Sequence, residues 1–112
     1  MPTIEASTLY GNLNLLILKT VAESPRHGLA IARRILALSE DALRVEEGAL
    51  YPALHRLARE GYLRAEWGQS ENNRRAKYYE LTVAGRALLD REMENWIRHT
   101  RAVSKVLELA AE

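Results

Sequence analysis

The chain has 112 residues, 47% of them apolar, which fits one domain with a hydrophobic core rather than a disordered tail. It contains no cysteine, so disulfides, cysteine-ligated zinc and thiol catalysis are excluded. With 16 basic and 15 acidic residues the formal charge is +1, so any attraction to nucleic acid must come from where the arginines sit.

Residues 1–6 carry neither the basic nor the apolar region of a signal peptide. The longest apolar run, Leu15–Leu18, is far too short for a bilayer, so a cytoplasmic chain with no membrane partner is expected. Residues 9–22 read as a first helix. Leu9, Leu13, Leu16, Thr20 and Val21 form a stripe that Leu15, Ile17 and Leu18 widen, the pattern of a helix buried on more than one side. Glu23-Ser-Pro-Arg26 breaks it. A second helix is expected from about His27 to Leu38, with Ile31, Ile35 and Leu38 as its core stripe and Ser39–Asp41 as a connector.

The third helix, Gly48–Glu60, turns Leu50, Leu54 and Leu57 to one face. Its other face holds Pro52, Arg56 and Arg59, with Tyr51 and His55 on a flank. Pro52 is expected in the first turn, where a missing N–H costs nothing, and Gly61 just past the helix end. Two alternating runs follow, Tyr62–Trp67 and Lys77–Leu81, around a polar loop, Gly68–Ala76; they read as a β-hairpin. Thr82 is placed to cap a last helix. On that helix Leu89, Met93, Trp96, Thr100, Val103, Leu107 and Ala110 recur at alternating spacings of four and three. This is a heptad seam of roughly 33 Å. A domain of this size buries a limited share of its surface, so a leftover apolar seam is expected to meet a second subunit.

The expected fold is thus mainly α with a small two-stranded β-hairpin: a winged helix-turn-helix (residues 1–82) followed by a long C-terminal dimerisation helix (residues 83–112), together one structural unit. In such a module the third helix enters the major groove and the hairpin, or wing, reaches the backbone or minor groove. Phosphates need guanidinium or ammonium donors, and arginine also reads guanine bidentately. Tyr51, Pro52, His55, Arg56 and Arg59 on the helix and Arg74, Arg75 and Lys77 on the wing are the candidate contacts to a double-stranded DNA operator. Leu89, Met93, Trp96, Thr100, Val103 and Leu107 are the candidate homodimer interface. An arginine on a helix is by itself more often a solvated face, and a polar hairpin tip a soluble turn; the case rests on their combination in this element order. Glu46 and Glu47 lie near the same face, where they can complement the positive end of the third helix.

His27-Gly28, Glu47-Gly-Ala-Leu-Tyr-Pro-Ala-Leu-His-Arg-Leu57, Gly61, Trp67, Asn73-Arg-Arg75, Tyr79, Leu81-Thr82 and Gly85 together resemble the PadR family of transcriptional regulators. The resemblance runs from about Gly11 into the last helix. It departs at Leu29, where the family often has Tyr, and at Ala49, where it often has Ser or Thr. It implies a dimeric winged-helix regulator, usually a repressor, of the short form with a single terminal dimerisation helix. It also gives Trp96 a second reading beside interface core: a flat wall against which some family members stack a planar aromatic effector.

His27, His55 and His99 have no partner at metal-ligand spacing, and no nucleophile motif or phosphate-cradling glycine loop is present. No cofactor, metal or catalytic residue is therefore expected. A helical protein-interaction module without DNA binding stays open as the alternative, separable by salt, since phosphate contacts weaken steeply as salt rises.

Overall fold

In the computed structural model, which describes residues 4–109, two helices stand where the periodicity suggests one: α1 (Ala6–Tyr10) and α2 (Leu13–Glu23). The break falls at Gly11–Asn12. Asn12 leaves the helical region at φ −118° and ψ 10°, and its side-chain Nδ2 donates to the Thr8 carbonyl at 3.3 Å. A short amide side chain competes with the helix for its own carbonyls in this way. Beyond the break α2 packs against all four other helices and the sheet, with Leu13, Ile17, Leu18 and Val21 buried.

After α2 the chain makes a two-residue strand, β1 (Arg26–His27), and enters α3 (Gly28–Leu38). Two residues are too few to show alternation, and the strand exists because a later strand offers it an edge. His27 serves both elements. It pairs with Tyr78 in the sheet, and its Nδ1 accepts the Ala30 N–H at 3.1 Å as the N-cap of α3. Glu23 ties α2 to α3 by accepting from Arg34 Nε at 3.0 Å and from its second nitrogen at 3.1 Å.

α4 (Glu47–Arg59) starts one residue before the expected point, which puts Pro52 at its sixth position and not in the first turn. The N–H that proline lacks would have served the carbonyl of Gly48. Gly48 is exposed and faces open space, so water can take that carbonyl and the helix runs on. The helix ends in a Schellman motif: Gly61 turns to φ +87°, Tyr62 N–H bonds Leu57 O at 2.9 Å and Gly61 N–H bonds Ala58 O at 3.1 Å.

β2 (Leu63–Gln69) and β3 (Arg75–Leu81) pair antiparallel, from Leu63 opposite Leu81 to Gln69 opposite Arg75. Each strand runs two residues farther toward the tip than its alternation suggests, which leaves residues 70–74 as the turn. With β1 on the other edge of β3, the sheet has three strands in the order β1-β3-β2, one more than the hairpin expected.

α5 (Val83–Val106) begins at Thr82, whose Oγ1 accepts the Gly85 N–H at 3.0 Å and donates to Gly61 O at 2.7 Å. The core gathers residues of α2, Ile31 and Ile35 of α3, Leu50, Ala53, Leu54 and Leu57 of α4, Leu63, Tyr79 and Leu89. Leu89 is only 1% exposed, so this first member of the expected seam is spent inside its own chain. Beyond Leu89 no described residue of α5 is buried. Leu107 caps the helix instead of lying within it, and Ala110 is outside the described residues. The projecting half of α5 explains a radius of gyration of 15.2 Å, against about 13 Å for a compact chain of this length.

Candidate nucleic-acid interface

The apolar stripe of α4 is consumed by the core, which turns Tyr51, Pro52, His55, Arg56 and Arg59 outward or to the rim. The wing is built by a similar division. Leu63, Ala65 and Trp67 on β2 share a sheet face with Leu81, Tyr79, Lys77 and Arg75 on β3. At the root this face is core, with Leu63 and Tyr79 buried; toward the tip it becomes Trp67, Lys77 and Arg75.

Between the start of α3, the flank of α4 and the wing lies a cleft of about 570 Å³, lined among others by Gly28, Tyr51, His55, Trp67, Arg74, Arg75 and Lys77. Tyr51 closes one end. A Cβ at Gly28 would lie 2.6 Å from Tyr51 Cε1 and 2.8 Å from its hydroxyl, so the ring rests on the bare backbone where α3 begins. Burial pushes the Tyr79 phenol above its ordinary range at the floor.

The tip is not uniformly positive. Glu71 is held below the usual carboxylate range by its own backbone N–H and then by His27, whose Nε2 lies 3.5 Å from Glu71 Oε2. His27 therefore joins the start of α3 to the tip of the wing, with its ring edge-on to Tyr78 at 5.4 Å. Around this pair stand Arg74, Arg75 and Lys77. Arg75 Cζ sits 4.4 Å from the centroid of Trp67, and Lys77 Nζ 5.9 Å from it.

Of the eight candidate DNA contacts, the structure brings five around the cleft: Tyr51, His55, Arg74, Arg75 and Lys77. Pro52, Arg56 and Arg59 are exposed on α4 but do not line it. Arg56 is drawn to the other flank, donating to Asn14 Oδ1 on α2 at 3.2 Å. Trp67 and the His27–Glu71 pair are residues the sequence reading left out of the site. The hairpin register was a usable signal for Trp67, since pairing Leu63 with Leu81 puts it opposite Lys77. No signal along the chain joins residues 27 and 71.

The second surface is the outer half of α5. Met93 is 39% exposed, Trp96 42% and Val103 41%, with Ile97 beside them. Thr100 turns its hydroxyl back to the Trp96 carbonyl at 2.9 Å. Trp96 also borders an apolar recess of about 250 Å³ with Leu9, Leu15, Leu16 and Leu43. No helix among the described residues is long and apolar enough to cross a membrane.

The model of the transcriptional regulator PadR-like family matches residues 17–91. A transcriptional regulator of Mycobacterium tuberculosis is 38% identical over 77 residues, covering 69% of this chain and 68% of that protein. Among solved structures, a transcriptional regulator from Clostridium thermocellum superposes with a TM-score of 0.82 at 25% identity, covering 92% of this chain and 97% of its own. A PadR family transcriptional regulator from Eggerthella lenta superposes with a TM-score of 0.77 at 29% identity, covering 93% of this chain and 88% of its own. With the winged-helix fold, the cations on the wing and the family match over most of its core, this chain belongs to the PadR-like family of transcriptional regulators, a DNA-binding family.

Proposed function

We propose that the chain is a sequence-specific repressor that binds a palindromic operator as a homodimer, α4 reading the major groove and the wing holding the backbone beside it. The observation that carries this reading is the cleft between α4 and the wing, with Arg74, Arg75 and Lys77 on one wall and Tyr51 and His55 on the other. Cations on the wing supply sequence-independent affinity, while α4 supplies the groups that touch base edges. Arg56 and Arg59, outside the cleft, stand where the same helix would face the groove.

Dimerisation through α5 supports the palindrome. On this half of α5, Met93, Trp96, Ile97 and Val103 are each about two-fifths exposed, an apolar surface that a second copy would cover. Isolated helical turns of this length are marginal in water, so a second copy stabilises them. Two-fold symmetry then places two α4 helices about one turn of DNA apart, roughly 34 Å. Repression follows where such an operator overlaps a promoter.

The test is selection of bound duplexes from a random DNA pool, followed by footprinting and a promoter reporter. An inverted repeat with half-sites about ten base pairs apart is expected, and a reporter that falls when the protein is present. A footprint without dyad symmetry would refute the dimeric mode. Enrichment of no sequence at all would favour the protein-interaction alternative.

A further inference from the structure

We propose that Trp67 is a positioning residue for the DNA backbone: an indole platform on the wing that holds Arg75 and Lys77 ready for phosphate. This deepens the reading above and rests on it. Trp67 is 57% exposed, although it stands on a strand whose two preceding same-face residues, Leu63 and Ala65, are buried and half-buried. Leu63 and Tyr79 already fill the core at the root of the wing, so the fold does not need the indole there.

The sheet register places Trp67 opposite Lys77, with Arg75 two residues along β3 on the same face. Both cations lie within the roughly 6 Å at which a ring face attracts positive charge, at 4.4 Å for Arg75 and 5.9 Å for Lys77. Two like charges on one face repel each other, and the negative face of the ring offsets that repulsion. A guanidinium over a ring also keeps its in-plane N–H donors free, the edge that grips a phosphate. Arginine and lysine lose much rotamer freedom when a phosphate fixes them. Holding them on the indole beforehand removes part of that cost from the binding step. On the opposite face, Tyr78 lies against Gly68 and donates its hydroxyl to Gln69 O at 2.9 Å, which stiffens the strand beneath the platform.

The experiment is a salt titration of the duplex selected from the random pool and of an unrelated duplex. The proteins are wild type, Trp67→Leu, Trp67→Tyr, and Arg75→Ala/Lys77→Ala with and without Trp67→Leu. Trp67→Leu is expected to weaken both duplexes alike, about 5- to 30-fold in a dimer, and to leave the thermal midpoint in place. The slope of log affinity against log salt should fall by up to about one per protomer. Trp67→Tyr, which keeps a ring face, should recover most of the loss. In the Arg75→Ala/Lys77→Ala background, Trp67→Leu should change nothing. Wild-type affinity and slope in Trp67→Leu would overturn the platform role while leaving DNA binding intact. So would an undiminished loss in the double-alanine background, because the indole would then touch DNA by itself. Failure of the wild type to bind either duplex would overturn the DNA reading and this role with it.

Discussion

Gly85 shows how narrowly one residue sets the geometry that α5 needs. A Cβ there would lie 2.1 Å from Tyr62 O and 2.8 Å from Leu81 Cδ1, so the start of α5 can approach the root of the wing only without a side chain. Gly85→Ala is expected to lower stability by about 1–3 kcal/mol in urea denaturation, the cost of forcing packed backbone apart; an unchanged midpoint would show that the corner has slack. Glu23 makes a different kind of contribution. Its hydrogen bonds to Arg34, ahead of its attraction to Arg26, hold its carboxyl below the ordinary 4.5. A carboxyl lowered in the folded state adds stability that is complete above the unfolded value and is lost as pH falls through the folded one. The stability difference between wild type and Glu23→Gln should therefore be largest at neutral pH and shrink below about pH 4.5. A difference that stays constant down to acid unfolding would contradict the ion-pair account. Arg56, proposed above as a base contact, donates to Asn14 Oδ1 on α2. Arg56→Ala is expected to relax preference at one position per half-site, at a cost of about 1–3 kcal/mol if the contact is bidentate. Selection from a random pool with the variant measures this, and an unchanged motif would remove Arg56 from the reading set.

At the scale of elements, the wing is held apart from the core chemically but tied to it mechanically. Its root is Leu63 and Tyr79; its tip is polar and linked to the start of α3 through His27 and Glu71. Nothing in the core depends on Arg74 or Arg75, so removing them should change stability by less than about 0.5 kcal/mol each. As phosphate contacts, each should lower the salt slope of operator binding by roughly one unit, doubled in a symmetric dimer. A titration of Arg74→Ala/Arg75→Ala beside the wild type reads both quantities. Equal slopes would make the wing a solvated turn and leave α4 to bind alone.

The whole molecule is elongated, 50 × 32 × 22 Å, because α5 continues past the core that anchors its first two turns. Leu89 belongs to that core, and the surface available to a second copy begins at Met93. A carboxylate placed in an apolar interface is left unpaired, so Met93→Asp or Val103→Asp should give monomer or insoluble protein. Analytical ultracentrifugation decides it: soluble, folded dimers from both variants would place the interface elsewhere. DNA affinity should fall as dimerisation is lost, since a single reading head contacts half the operator.

Much of this architecture was legible along the chain because its causes are local. The apolar stripes of α3 and α4 follow from a repeat of 3.6 residues, the Gly61 turn from a positive φ, and the Thr82 cap from the free N–H groups of a helix start. The cations of the wing were legible for the same reason, as a run between two alternating strands. What the tertiary structure decided involves partners distant in sequence. Arg26 and His27 become a strand only because β3 presents an edge some 50 residues later. Leu89 fits a heptad as well as Met93 does, and only the packing of α5 on α2 assigns one to the core and the other to the surface. Along the chain Tyr51 is one more rim residue of α4; only the fold puts the bare backbone of Gly28 beneath its ring. Periodicity tells a residue which face of its own element it occupies; what that face meets depends on how the elements pack.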